Sequence, residues 1–289
     1  MRGITAILLA VAFSVPSQQT TPSYLPVDSE VVKKSLVFLT YEHDNFVVVG
    51  TGFLISIPVM GDLAHSHVAI VTSRHFIDPH WAGCSWANPS ALTVKIGIWQ
   101  ASFTLERNDQ RTWLAHTDDK VDVAIIPFDG RLGRFINNDI KALPISDFST
   151  KDEIEKFQIG IGTNVMSAIL VPDLFDMNRV YPAFAFGKVS NVSDDTGKLR
   201  CETGPLKDRL TWIITGKFVP GNSGSPVFLM PSELALGPAF RFNGPKNMIL
   251  GLVSGNVEGA DLAEMVPIEY VLEVIAKYYP DANLYRDGN

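Results

Sequence analysis

Short apolar runs separated by turn residues dominate the chain from residue 35 onward. Most of them are rich in β-branched and aromatic residues, which suit half-buried strands. The polar triplet at 43–45 lies between two runs and is typical of a hairpin turn. The runs of the first half are 36–40, 46–49, 53–57, 68–72, 92–99 and 121–127. Those of the second half are 157–162, 166–171, 183–189, 210–214, 227–230 and 248–253.

Helical periodicity is clear near the end of the chain. Apolar residues at spacings of three and four would share one helical face there, namely Ile268, Val271, Leu272, Ile275 and Tyr279. Two sets of strands followed by a helix predict an all-β fold of two packed six-stranded antiparallel β-barrels with a C-terminal α-helix. We place the first barrel at 35–148 and the second barrel, with the helix, at 149–289.

The first residues have the pattern of an export signal. Arg2 supplies a positive start, and 4–15 is an apolar run of the length found in signal peptides, which is shorter than the roughly 20 residues of a membrane-spanning helix. We therefore expect a signal peptide at 1–17 and a polar tail at 18–34. The mature chain would be secreted or periplasmic, with no integral membrane segment. A short buried helix or a retained membrane anchor are the alternatives for this run.

Composition and charge narrow the partners. The 289 residues are 46% hydrophobic and 19% charged, which permits a large core. The net charge of -7 argues against nucleic acid as a partner. The two cysteines, Cys84 and Cys201, could be bridged in an oxidising compartment or remain two thiols. They lack the Cys/His spacing of zinc sites, so we expect no metal.

The hexapeptide Gly-Asn-Ser-Gly-Ser-Pro at 221–226 is the most informative stretch. A serine hydroxyl is a weak nucleophile and must sit on an exposed turn that a base can reach, which glycines on both sides permit. Ser223 is the candidate nucleophile. The backbone N–H groups of Gly221 and Ser223 could form an oxyanion hole. The alternative is a plain Gly/Ser surface turn.

A histidine and a buried carboxylate complete the set. Among the six histidines, His75 directly follows the strand at 68–72, where a base would be held rigidly yet face a cleft. Asp122 stands amid apolar residues, where a charge is costly unless it is paired. It would orient the imidazole and stabilise its cation. The alternatives are a structural histidine and a buried Asp bonded to backbone amides.

The order His75, Asp122, Ser223 matches one known catalytic arrangement and would place the cleft between the barrels. The segments 50–55, 71–75, 122–125, 184–190, 221–226 and 251–255 together resemble the trypsin-like, or chymotrypsin-fold, serine peptidases. The likeness is greatest to exported bacterial members such as the HtrA-type proteases and the glutamyl endopeptidases. Ser225 departs from the family, which has glycine there.

This resemblance implies a serine endopeptidase that acts on polypeptides through an acyl-enzyme and needs no cofactor. It also implies a substrate pocket built from two stretches. Lys217 and Phe218 precede the nucleophile, and Val253, Ser254 and Gly255 would form the pocket strand. Two other functions remain open: a catalytically silent binding module on the same fold, and an esterase that uses the same triad.

Overall fold

A computed structural model describes most of the chain from residue 28 onward. The described residues are 28–78, 81, 89–96, 101–107, 113–128, 140–172, 180–192, 197–199, 207–230, 248–257 and 260–284. The expected signal peptide and both cysteines lie outside these ranges. Export and the disulfide therefore stay predictions, as do the domain boundaries. No helix among the described residues is long and apolar enough to cross a membrane.

The N-terminal half forms one antiparallel sheet with a single parallel pairing. Its strands are β1 (Leu36–His43), β2 (Phe46–Val59), β3 (Asp62–Thr72), β4 (Ala91–Ile96), β5 (Ala101–Glu106), β6 (Leu114–Ala115), β7 (Ala124–Phe128) and β8 (Leu143–Pro144). The order is β5-β4-β1-β2-β3-β7-β6, and β8 pairs in parallel with β2. Six strands were predicted here and eight are described, of which β6 and β8 have only two residues each. The strand path does not close among the described residues.

The C-terminal half is a closed six-stranded barrel, in the order β10-β13-β16-β15-β14-β9. Its strands are β9 (Asn164–Pro172), β10 (Val180–Asn191), β13 (Trp212–Thr215), β14 (Pro226–Leu229), β15 (Ile249–Val257) and β16 (Leu262–Pro267). Strands β11 (Gly197–Leu199) and β12 (Lys207–Arg209) pair with each other in a separate two-stranded sheet. The described α-helices are α1 (Ser29–Ser35), α2 (Lys151–Lys156) and α3 (Glu269–Tyr278).

The alternation of apolar residues decides which face of each strand is buried. In β4, Leu92, Val94 and Ile96 are buried while the residues between them are half-exposed, as expected for a strand with one face on a core. They belong to the core of the N-terminal sheet. A second cluster includes Phe53 of β2 and Phe228 of β14. The two halves therefore share a core, which places residues of both at one boundary.

Two local predictions are confirmed. Strands β1 and β2 form a hairpin in which His43 pairs with Phe46, and Asp44 takes a φ of 51° in the turn between them. The C-terminal helix is α3, which buries Val271, Val274 and Ile275.

The strand predicted at 157–162 is wrong. Thr150 and Glu153 form a capping box that starts α2 just before this stretch, and such a box stabilises a helix start. The apolar run that follows forms turns instead. Gly162 has a positive φ of 91°, and Ile161 is exposed. Helix α1 was not predicted either; all of it except Ser35 lies in the expected tail, and it buries Val32.

Candidate active site

His75 lies on a 3-10 turn, Arg74–Phe76, that directly follows β3. The turn is held by its neighbours, since the Arg74 guanidinium bonds Asp78 at 2.8 Å and the carbonyl oxygen of His116 at 3.1 Å. The ring centroid of Trp81, a buried residue, lies 6.4 Å from that of the imidazole, with an angle of 29° between the ring planes. His75 therefore has a rigid backbone at the end of a strand, as the sequence suggested.

Asp122 is fully buried in the segment between β6 and β7. Its Oδ1 accepts a hydrogen bond from the backbone N–H of His75 at 2.8 Å, and its Oδ2 lies 2.7 Å from Nδ1 of the same residue. The hydroxyl of Ser254 also donates to Oδ2. Both carboxylate oxygens thus accept hydrogen bonds. A side chain with an N–H donor in place of either oxygen would face another donor.

The ionised form of Asp122 is stabilised in spite of its burial. Burial by itself would raise the pKa of this carboxyl. The charge and hydrogen bond of His75, the charge of Arg209 and the Ser254 hydroxyl outweigh that effect and hold the pKa below its ordinary value. The carboxylate can only accept hydrogen bonds, so Nδ1 of His75 must carry the proton. The other nitrogen, Nε2, is then an acceptor when the ring is neutral.

The serine loop, residues 221–226, forms hydrogen bonds with both halves of the molecule. Thr51 of β2 donates from its backbone N–H to the carbonyl oxygen of Ser223 at 2.9 Å, and from its hydroxyl to that of Gly221 at 2.7 Å. Gly224 donates to the carbonyl oxygen of Val253 in β15 at 2.7 Å. The buried Asn222 side chain accepts from the N–H of Val219 at 2.9 Å. These bonds fix the backbone around the candidate nucleophile.

The structure brings Ser223 close to the other two residues through Ser254. The Ser223 hydroxyl donates to the carbonyl oxygen of Ser254 at 3.1 Å, while the side chain of Ser254 donates to Asp122. No hydrogen bond joins Ser223 to the imidazole of His75 in the described part of the chain. The N–H groups of Gly221 and Ser223 donate to no other described residue. The oxyanion hole stays a prediction.

The residues expected to form the pocket have different surroundings. Lys217 is exposed, and the carbonyl oxygen of Phe218 accepts from the Asn256 side chain at 3.1 Å. Val253 is buried in the core of the C-terminal barrel, and the Ser254 hydroxyl is engaged with Asp122. A pocket along this strand stays a prediction.

Sequence reasoning missed the buried ion pair of Arg209 and Glu264. The guanidinium of Arg209 donates to the Ser254 hydroxyl at 2.8 Å and lies 3.8 Å from Oδ2 of Asp122. One signal could have found Glu264, because it is an acid inside an apolar strand, as Asp122 is. Among the described residues, no group of three or more His, Cys, Asp or Glu could hold a metal ion.

Comparison with known proteins gives the fold. No protein-family model matches the chain, and no curated protein sequence matches it. Among solved structures, catalytically active tobacco etch virus protease complexed with product matches with a TM-score of 0.53 and 13% identity, over 89% of this chain and 83% of that one. The serine endoprotease from Yersinia pestis matches with a TM-score of 0.51 and 14% identity, over 91% of this chain and 69% of that one.

The chain has the chymotrypsin-like fold. The predicted chymotrypsin-like architecture of two β-barrels with a C-terminal helix is confirmed by this likeness and by the strand order, although the N-terminal barrel is seen as an open sheet among the described residues. At such low identity the likeness shows the fold alone, and chemistry must be argued from the site itself.

The chymotrypsin-like fold brings the serine loop so close to β2 that Gly224 tolerates no side chain. Its φ is +91°, and a Cβ there would lie 1.9 Å from the carbonyl oxygen of Thr51. We expect Gly224→Ala to lower the free energy of unfolding by about 3 kcal/mol or more, through backbone strain and this clash. Urea denaturation measures the loss.

Gly162 is a matched control, because it has the same φ of +91° but nothing within 4 Å of a Cβ. Gly162→Ala should therefore cost only the backbone strain, about 1 kcal/mol. Equal losses for the two variants would show that the close approach of the serine loop to β2 does not matter for stability.

Proposed function

We propose that the protein is a serine endopeptidase that cleaves peptide bonds through Ser223, His75 and Asp122. The observation that carries the proposal is the pairing of His75 with the fully buried Asp122. The N–H groups of Gly221 and Ser223, which donate to no other described residue, support it. The protease neighbours agree with a hydrolase of this kind. Export to a secreted or periplasmic location is part of the proposal and rests on residues 1–17 alone.

The proposed reaction begins at the Ser223 hydroxyl. It must turn from the carbonyl oxygen of Ser254 to donate to Nε2 of His75, which the Nδ1–H···Asp122 bond keeps as an acceptor. Oγ then bonds the substrate carbonyl carbon while its proton passes to Nε2. The resulting oxyanion accepts hydrogen bonds from the N–H groups of Gly221 and Ser223. Losing one such donor typically costs about 2.7–4 kcal/mol of transition-state stabilisation.

Collapse of this intermediate breaks the C–N bond. The imidazolium of His75 gives its proton to the leaving amine, and the acyl group stays on Ser223. Water then attacks the acyl-enzyme with the same base, and the acid product and the free serine are released. Asp122 keeps its charge throughout and stabilises the cation on His75.

A covalent probe followed by a protein substrate tests the proposal. A fluorophosphonate should label the protein at Ser223, and the same preparation should digest casein. Labelling without casein cleavage would favour the esterase. Absence of both would favour the silent binding module.

Substrate preference follows from the charges near the pocket stretches. A pocket for Arg or Lys needs an unpaired carboxylate, because burying a cation alone is very costly. Glu264 is the acid next to Gly255, at 3.5 Å from a Cβ placed there, and it is paired with Arg209. We therefore expect small or medium apolar residues before the cut, and Arg or Lys to be disfavoured by about 10-fold or more. Cleavage of a peptide library, read by mass spectrometry, measures this; Arg or Lys as the favoured residue would contradict it.

A further inference from the structure

A buried ion pair lies directly behind the carboxylate of the candidate triad. Arg209, at the end of β12, is 2% exposed, and Glu264 in β16 is 6% exposed. Nη2 of the guanidinium pairs with Oε2 of the carboxylate. Removing two charges from water costs several kcal/mol per ion, so such a pair is weak evidence for stability. Its position next to Asp122 suggests a different use.

The other end of the guanidinium reaches the triad through one hydroxyl. Nη1 of Arg209 donates to Oγ of Ser254 at 2.8 Å. The hydroxyl has a single proton, and it is donated to Oδ2 of Asp122. Because Arg209 occupies the acceptor side of this hydroxyl, it directs the proton toward the carboxylate. The same Nη1 lies 3.8 Å from Oδ2.

The formal charges of this cluster balance when His75 is protonated. Asp122 and Glu264 are the two anions, and Arg209 together with the imidazolium of His75 are the two cations. On the turn that carries His75, the guanidinium of Arg74 is paired with Asp78 at 2.8 Å. A cation as close as Arg209 would weaken the attraction of Asp122 for the imidazolium. The anion at Glu264 offsets that effect.

We propose that Arg209 is a positioning residue that directs the Ser254 hydroxyl to Asp122, and that Glu264 balances its charge so that His75 remains an effective base. This inference rests on the proposed function. In it, Arg209 acts on the chemistry only through Ser254 and Asp122.

Glu264→Gln tests the charge balance. The amide is nearly isosteric and can still accept a hydrogen bond from Arg209, but the anion is gone. The unbalanced cation at Arg209 then disfavours the imidazolium that forms when His75 takes up a proton. We expect the titration midpoint of the variant to lie lower than that of the wild type by about one pH unit, a size typical of removing one nearby charge. The acid limb of kcat/KM should move by the same amount.

A double variant tests positioning and guards against a folding defect. Arg209→Gln with Glu264→Gln removes both charges together, a change that folded proteins often tolerate. The midpoint should return to within about 0.3 pH unit of the wild type, since the net charge near Asp122 is restored. Turnover should nevertheless fall at least about 10-fold, because Ser254 loses a charged donor. Arg209→Lys alone should keep the wild-type midpoint.

Two readouts separate this inference from the proposed function. The His75 titration is followed by NMR of the ring and needs no substrate, while the acid limb is followed with a peptide substrate. Glu30→Gln is the control, because it removes the same charge from an exposed pair with Lys33, and it should leave both readouts unchanged. A protein that cleaves no peptide but shows the NMR changes would contradict the proposed function and support the roles proposed for Arg209 and Glu264.

Two results would overturn the inference. One is an unchanged His75 midpoint in a folded Glu264→Gln variant, which would show that Glu264 balances nothing. The other is full turnover in the double variant, which would show that Arg209 does not position Ser254.

Discussion

Replacing Ser223 by alanine is expected to abolish casein hydrolysis, with turnover reduced by about 10⁴–10⁶-fold. The variant lacks the oxygen that would form the proposed acyl-enzyme, whereas the hydrogen bonds made by the loop backbone, such as that from Thr51, remain. The fold should therefore be unchanged, which circular dichroism and urea denaturation can check. Fluorophosphonate labelling should disappear along with activity. His75→Ala should cause a loss of the same order, because residues that act as a unit do not contribute additively.

Ser225→Ala is the matched control, two residues along the same loop. Ser225 is fully buried, and its hydroxyl has no hydrogen-bond partner in the described part of the chain. Removing that oxygen should cost no bond and leave turnover within about 3-fold of the wild type. If Ser225→Ala were as damaging as Ser223→Ala, the assignment of the nucleophile would be wrong.

Asp122→Asn should lower turnover by about 10⁴-fold with little change in shape. An amide in place of the carboxylate must present a donor to Nδ1 or to the backbone N–H of His75, and both of these already donate. The imidazole then favours the tautomer with a proton on Nε2, which cannot accept the proton of Ser223. The measurement is kcat for a peptide substrate near neutral pH.

Asp119→Asn is the control for the aspartate variant. It makes the same chemical change three residues away on an exposed side chain, and turnover should stay within about 2-fold of the wild type, because exposed charges are screened. A turnover for Asp122→Asn within 10-fold of the wild type would show that Asp122 does not orient the base.

Elements with strong local patterns were predictable. The β1–β2 hairpin has two β-branched runs joined by a polar turn, and α3 has apolar residues on one helical face, so neighbouring residues determine each of them. The stretch at 157–162 was misassigned because its apolar content suggested a strand. The capping box of Thr150 and Glu153 starts a helix just before it, and a glycine with positive φ closes it.

In the candidate site, too, some features could be predicted from the local sequence and others could not. Asp122 could be selected from sequence because it lies among apolar neighbours, and Ser223 because it lies between glycines. These signals are local, and each sits within a few residues of the side chain concerned.

The contacts that join these residues are not local. The path from Arg209 through Ser254 to Asp122 crosses between the two halves of the molecule, and no spacing along the chain predicts it. Ser254 was expected to line a pocket, which stays a prediction, and its hydroxyl also donates to Asp122. The sequence by itself determined which residue types were suited to chemistry. Only the tertiary structure decided which of them meet, because a hydrogen bond depends on separation in space, and that separation is set by how the strands pair and how the halves pack.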